Sequence, residues 1–351
     1  MKRIAYYIAV FLAFSMFVAC GGPSAGNKSG GQPEADTPAA EDTPVPATNH
    51  TAIHPFPSVS VPSVYAGNND AALDYMLEHY WDAFLKSGGA TTPETILGVK
   101  DEDVEQALAD YIQMLSELKG MATPDDTAPL RKAQKGVKNF FGKMEALQKR
   151  DTTSHTYLRL TEMVSHYLYD PNSPMRDEDL YLPFVEAAAE SPCTRDDMRN
   201  AYRHELKMCR TNTFGNKVPD IRFKDINGHM GRLYNIDAEY TMLFFSNPGC
   251  SSCKEIINDV MSRGYIESLI SRKKLAVVNI YIDEEVSKWR DYSHNYPSCW
   301  INGYDYTFSL RESGAYDIRA IPSLYLLDSD KRVLMKDAPT PKVLSFLDKI
   351  I

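Results

Sequence analysis

Apolar residues recur at helical spacing through the first half of the chain and in short strand-like runs through the second. Leu73, Met76, Leu77, Tyr80, Trp81, Phe84 and Leu85 follow an Asn69/Asp70 cap and lie three or four residues apart. Val104, Leu108, Tyr111, Ile112, Leu115 and Leu118 repeat the pattern, and further helices are predicted over 130–148, 156–169, 177–189 and 195–209. The pattern predicts an all-α domain of about six helices over residues 56–212. Its methionine and aromatic stripes read as core. His79, His155, His166 and His204 are scattered without metal-ligand spacing, so no metal is expected.

From about Thr213 the period changes. Val218-Pro219-Asp220-Ile221-Arg222-Phe223, followed by Asp225-Ile226-Asn227-Gly228, reads as a strand and a tight turn before a second strand that leads to Leu233. A strand over 240–246 hands over to a helix over 251–270, and the very apolar run 275–282 reads as a strand buried on both faces. Residues 289–306 give no clear element. Ala320-Ile321-Pro322-Ser323 leads into a strand over 324–327, an Asp328-Ser329-Asp330 turn, a strand over 332–335 and a closing helix over 341–350. Two domains are therefore expected, an all-α domain and then an α/β domain over residues 213–351.

The first 55 residues lack either pattern. Lys2 and Arg3 precede an apolar run from Ile4 to Val18, too short to span a bilayer comfortably, which reads as a secretory signal over 1–20. Phe17-Val18-Ala19-Cys20 resembles the end of a bacterial lipoprotein signal, which implies acylation of Cys20; the plain alternative is an ordinary cleaved signal. Residues 21–55, rich in Gly, Pro, Ala, Ser and Thr, read as a disordered tether. About 30 such residues would hold the folded part on the order of 30 Å from its anchor. The 351 residues carry a net charge of -9 with no basic stripe, which argues against nucleic acid as a partner.

An exported chain can use disulfide chemistry, and it has six cysteines. Phe244-Phe245-Ser246-Asn247-Pro248-Gly249-Cys250-Ser251-Ser252-Cys253 places a cysteine pair where a strand gives way to a helix. Unpaired N–H groups and the positive end of the dipole at a helix N-terminus favour a thiolate. Cys250 is therefore the candidate nucleophile, and Cys253, one turn on, the resolving thiol that attacks a mixed disulfide. A lone C-x-x-C also suits half of a zinc site, but no second C-x-x-C or C-x-x-H completes one, and Lys254 in place of His excludes a c-type haem motif. Cys193 and Cys209 flank a predicted helix whose rise would part them by about 24 Å, far beyond disulfide reach. Cys209 shares a face with Met198, Tyr202 and Leu206 and reads as a buried thiol. Cys193 and Cys299 receive no partner.

From about Thr213 to the end, the chain resembles the extracytoplasmic thioredoxin-fold proteins of the TlpA/ResA-like type. The Pro219-Asp220 and Asn227-Gly228 hairpin, Cys250-Ser251-Ser252-Cys253 after a strand, and Ile321-Pro322 before a strand and hairpin carry the resemblance. It implies a cis proline at Pro322 lying against the cysteines, and a substrate ledge formed by Ile321 and Pro322, whose backbone pairs with an extended client segment. It also puts Gly249 in the groove wall, where thioredoxins usually have Trp. Phe244 stands where many thioredoxins carry a buried acid, and Ile256 where ResA-like proteins carry Glu; Glu255 is one step, about 100°, away. The general base is left unassigned. The helical half, through Leu77-Glu78-His79-Tyr80-Trp81-Asp82, resembles an uncharacterised domain found before thioredoxin-like modules in bacterial lipoproteins.

The expectation is a lipid-anchored, periplasm-facing thiol-disulfide oxidoreductase, on the outer rather than the inner membrane. It would need no cofactor and would exchange disulfides with protein clients and a redox donor. With no His between the cysteines, the expected direction is reducing or isomerising. The alternative is a binding or assembly lipoprotein on a thioredoxin-like scaffold.

Overall fold

The computed structural model describes residues 53–351. The expected signal segment, the lipidation site Cys20 and most of the expected tether lie outside the described residues. The chain forms two compact units that meet at the Lys100–Asp101 bond.

In the first unit, Asn68 caps helix α1 (Asn69–His79) by accepting the Ala71 N–H at 3.1 Å, one residue before the expected cap. A break at Tyr80–Trp81 separates it from the short α2 (Asp82–Leu85). The ring of Phe56 stacks on Phe84 with centroids 5.1 Å apart and meets Trp81 edge-on at 5.7 Å. Strands β1 (Thr95–Ile96) and β2 (Val99–Lys100) then form an antiparallel hairpin with Ile96 opposite Val99.

This hairpin corrects the expected all-α N-terminal domain. Helices run along both units of the described residues, and strand pairing begins well before Thr213, a position that falls inside the second unit. The cause is local. Leu97 and Gly98 both take positive φ, 54° and 79°, which is the backbone of a two-residue hairpin turn, and helical periodicity does not detect a ladder two residues long.

Helices α3 (Asp101–Lys119), α4 (Ala128–Arg150), α5 (Thr156–Tyr169), α6 (Glu178–Glu190) and α7 (Asp196–Cys209) open the second unit. The α3 stripe of Val104, Leu108, Tyr111, Ile112, Leu115 and Leu118 is buried, as its period requires. Helix α6 is the most enclosed, with Leu180, Tyr181, Phe184 and Val185 all at 0% exposure. It tolerates an internal Pro183, which has no N–H to offer the Asp179 carbonyl four residues back. The Gln134 side chain of α4 donates to that carbonyl at 2.8 Å instead.

The remaining strands form one seven-stranded mixed sheet in the order β4-β3-β7-β6-β5-β8-β9. They are β3 (Arg222–Lys224), β4 (Met230–Arg232), β5 (Tyr240–Phe245), β6 (Leu275–Tyr281), β7 (Ile301–Tyr304), β8 (Ser323–Leu327) and β9 (Val333–Met335). The expected 225–228 turn joins β3 to β4 with Gly228 at φ +82°. Strand β6 is buried along its whole length, as a run without alternation predicts, and pairs in parallel with both β5 and β7.

Side chains of β5 alternate between two cores. Met242 and Phe244 face a cluster with Val260, Leu269, Val343 and Leu347. Leu243 and Phe245 face one with Val278, Ile280, Leu310 and Tyr316. The predicted helix over 251–270 is two helices, α8 (Ser251–Met261) and α9 (Ile266–Ser271), parted by a turn through Arg263 and Gly264. Between 289 and 306, where the pattern was mute, stand the end of α10 (Val286–Tyr292) and β7. Helices α11 (Ser309–Ser313) and α12 (Thr340–Leu347) complete the chain.

Buried ion pairs join the helices to the sheet. The Lys119 ammonium on α3 donates to Asp177 at 2.6 Å and to Asp179 at 2.7 Å, and Lys342 of α12 lies 3.4 Å from Asp177. Burial opposes the charge on Asp177, but the two ammoniums prevail and its pKa is lowered to about 2. A carboxylate that releases its proton more easily when folded stabilises the fold above its ordinary value near 3.8, and that stability is lost as pH falls through about 2. Asp177→Asn should therefore cost about 2 kcal/mol in urea unfolding at pH 7. Below about pH 2 the variant and parent should unfold alike, and a pH-independent difference would contradict this placement.

Candidate functional site

The site is built where β5 ends. Ser246 to Gly249 carry the chain off the strand, and Gly249 turns it with φ +75°, a conformation that favours glycine. Cys250 then caps α8, its Sγ accepting the Cys253 N–H at 3.1 Å. An N–H dipole thus points at the sulfur in the way a thiolate requires.

The two thiols differ in environment. Cys250 is half-buried, with the exposed Ser251 and Ser252 following it, whereas Cys253 is only 2% exposed and belongs to the core cluster of Phe244 and Trp300. Burial, reinforced by the hydrogen bond with Cys250, pushes the Cys253 thiol up to about 12. The pair thus sets one accessible thiol at the helix start and one enclosed thiol in the core beneath it.

Antiparallel pairing of β5 with β8 sets Phe245 opposite Ser323, so Pro322 and Ile321 arrive at the strand end from which Cys250 departs. The Ile321–Pro322 peptide is cis, and Ile321 packs against the same core cluster as Cys250. Four of the expected residues, Cys250, Cys253, Ile321 and Pro322, are thus brought to one end of two adjacent strands. Gly249 also lies there and is exposed, with no atom within 4 Å of where a Cβ would stand, so no side chain walls the groove at that point. A cleft of about 360 Å³ opens beside the ledge, lined among others by Asn247, Asp283, Arg311, Arg319 and Ile321. Asp283 accepts from the Asn247 side chain at 2.8 Å and from Arg311 at 2.6 Å.

Polar groups that the sequence reading passed over lie under the pair. Ser246, at 0% exposure, donates to Asn279 at 2.5 Å, and Asn279 donates to Asn302 at 3.1 Å. The Tyr296 hydroxyl is 3.5 Å from Ser246, and burial pushes its pKa up to about 12. Asn279 was visible as the one amide inside the apolar run 275–282; nothing in the sequence pointed to Tyr296. Phe244 is wholly buried and meets Trp300 edge-on with centroids 6.1 Å apart, so the place of the usual buried acid is filled by an aromatic contact. Glu255 is exposed on α8. Cys209 is buried at the end of α7, as expected, and Cys193 lies at the other end of that helix. Among the described residues no group of three or more His, Cys, Asp or Glu side chains is placed to hold a metal ion.

This fold, with its cysteine pair at a strand-to-helix junction and a cis proline at the adjoining strand end, defines a thioredoxin-like protein. Residues 28–212, more than half of the chain, match the family model described as Domain of unknown function (DUF5106), and the chain belongs to that family. It is similar to a thioredoxin-like protein from Bacteroides caccae ATCC 43185, with 33% identity over 85% of this chain and 99% of that one and a TM-score of 0.68. It also matches the C-terminal domain of an uncharacterized protein from Bacteroides fragilis NCTC 9343 at 40% identity, covering 39% of this chain and 99% of that one with a TM-score of 0.38. The thioredoxin domain of a thiol-disulfide oxidoreductase from Bacteroides vulgatus matches at 19% identity, over 38% of this chain and 97% of that one, with a TM-score of 0.33. No curated protein matches the chain.

The unequal burial of the two thiols has a direct readout. Iodoacetamide at pH 8 should modify Cys250 at least about tenfold faster than Cys253, as followed by peptide mass spectrometry. Equal rates, or a faster Cys253, would contradict the geometry.

Proposed function

We propose that the protein is a thiol-disulfide oxidoreductase that exchanges its Cys250/Cys253 pair with protein clients. The observation that carries this reading is the pairing of a half-buried Cys250 at a helix N-terminus with a buried Cys253, both beside the Ile321–Pro322 ledge. In the reducing direction, the Cys250 thiolate attacks one sulfur of a client disulfide. An S–S bond forms between them, and the other client sulfur leaves as a thiolate and takes up a proton. Cys253 gives up its proton and attacks the Cys250 sulfur, releasing the second client thiolate. Two electrons pass to the client, and the protein is left as the Cys250–Cys253 disulfide. A dithiol donor must then restore the pair.

The high pKa of Cys253 makes its deprotonation the demanding part of the second step. The groove beside Gly249 is open, and client binding rests on the ledge and the cleft bordered by Asn247 and Arg311. The role belongs in the cell envelope: a lipid on Cys20 and the tether that follows hold the redox portion, residues 213–351, facing the periplasm, from the outer membrane rather than the inner. The resemblance to TlpA/ResA-like proteins and the absence of His from Ser251-Ser252 favour a reducing or isomerising direction.

Replacing Cys253 with Ser removes the resolving thiol, so mixed disulfides with clients should accumulate and be released by dithiothreitol. Cys250→Ser should trap none. If the Cys253→Ser protein formed no adduct while Cys250 remained open to alkylation, the chain would be a binding scaffold rather than an enzyme.

A further inference from the structure

The ledge is held from one side by the helices. Arg319, two residues before Ile321, borders the cleft and donates to the Tyr169 carbonyl at the end of α5 at 2.5 Å. It also donates to Glu178 at the start of α6 at 3.0 Å and to Asp337 just beyond β9 at 2.9 Å. Its guanidinium lies over the Tyr169 ring, 4.0 Å from the centroid. These contacts use the planar, multi-donor head of an arginine, which a lysine cannot reproduce.

Glu178 is the hub. It is 4% exposed; one oxygen accepts from Arg319, and the other lies 2.6 Å from the Lys336 ammonium. Lys336 in turn donates to the Met208 carbonyl at 2.7 Å and the Thr211 carbonyl at 2.8 Å, at the end of α7. Arg176 donates to the Asp337 carbonyl at 2.6 Å, and Asp317 lies 3.8 Å from Arg319 and 3.6 Å from Lys336. Arg176, Arg319 and Lys336 thus face Glu178, Asp317 and Asp337, three basic groups against three acidic ones, and burial pushes the Glu178 carboxyl up to about 7 despite its cationic partners. Such a buried set contributes little net stability over apolar packing, but it is costly to unbalance, so it fixes one arrangement of the elements that supply it.

We propose that α5, α6 and α7 set the position of the Ile321–Pro322 ledge through Arg319 and Glu178, which makes the helical region a structural part of the client groove. The inference rests on the thiol-exchange reading of the cysteine pair. Arg319 and Glu178 act as positioning residues: they touch neither cysteine, and they fix the segment against which an extended client would align. A small disulfide needs no alignment along the ledge; a polypeptide does, and misplacement on the order of 1 Å is costly to a positioned reaction.

The test, run at pH 8, compares the full chain with Glu178→Gln, which keeps shape but cannot ionise, and Arg319→Lys, which keeps charge and loses the fork. For each, the rate of insulin disulfide reduction is divided by the rate with the small disulfide dithionitrobenzoate. That ratio should fall about tenfold in both variants, and the double variant should fall by less than the product of the two single losses, because both weaken the shared Arg319–Glu178 contact. In parallel, hydrogen exchange at the amides of 318–323 should speed up about tenfold, while β5 and β6 keep their protection. An unchanged ratio, or a double variant whose losses multiply, would overturn the proposal, as would unchanged exchange in 318–323. If the parent protein reduces neither disulfide, the thiol-exchange reading is what fails, and the hydrogen exchange alone then decides whether the helices hold the ledge.

Discussion

The antiparallel register of β5 against β8 is the constraint on which the site depends. Because Phe245 lies opposite Ser323, the chain leaving β5 and the chain entering β8 meet at one sheet end. The first becomes the Gly249 turn and the α8 cap, and the second is the cis Ile321–Pro322 bend. A slip of one residue would exchange the side chains of β5 between two differently shaped cores, since Met242 and Phe244 are packed into one and Leu243 and Phe245 into the other. Burial on both faces therefore fixes not only the fold but the approach of the ledge to the thiols.

Polar groups inside this apolar frame are placed where they constrain position. Ser246, Asn279 and Asn302 form a hydrogen-bonded line below the cysteine turn, with a buried Asn279 amide that would be expensive to leave unpaired. At the join of helices and sheet, the sets around Asp177 and around Glu178 do the same with ionisable groups. The Lys119–Asp177–Lys342 set links α3, α6 and α12, and the Arg319–Glu178–Lys336 set links α5, α6 and α7 to the loop before β8 and the chain after β9. Both pass through the first residues of α6, so that one helix start carries much of the coupling between the two halves of the unit.

Legibility in the sequence followed the range of the forces involved. The α3 stripe, the buried β6 and the β3–β4 turn are written in local periodicity and in Gly228, and the sequence shows them directly. The cysteine pair was legible because thiol spacing and strand-to-helix context are also local. The β1–β2 hairpin was missed because it is only two residues per strand around Leu97-Gly98, embedded in a helical pattern. Strand β7 was missed because Ile301-Asn302-Gly303-Tyr304 has little strand character of its own. It is held by β6, and Gly303 leaves room for the Phe223 ring, which would lie 2.5 Å from a Cβ there. The ion set around Glu178 joins residues more than a hundred positions apart, and no window on the sequence contains it.

The claim that Cys250 and Cys253 form a working redox pair is tested most directly by their equilibrium with glutathione. The protein would be equilibrated in buffers of graded poise and quenched in acid, and the alkylated thiols at the two positions counted by mass. A single reversible two-electron transition is expected, lost in Cys250→Ser, with a midpoint toward the reducing end of the thiol-disulfide range. A pair that stays wholly reduced or wholly oxidised at every poise would contradict it.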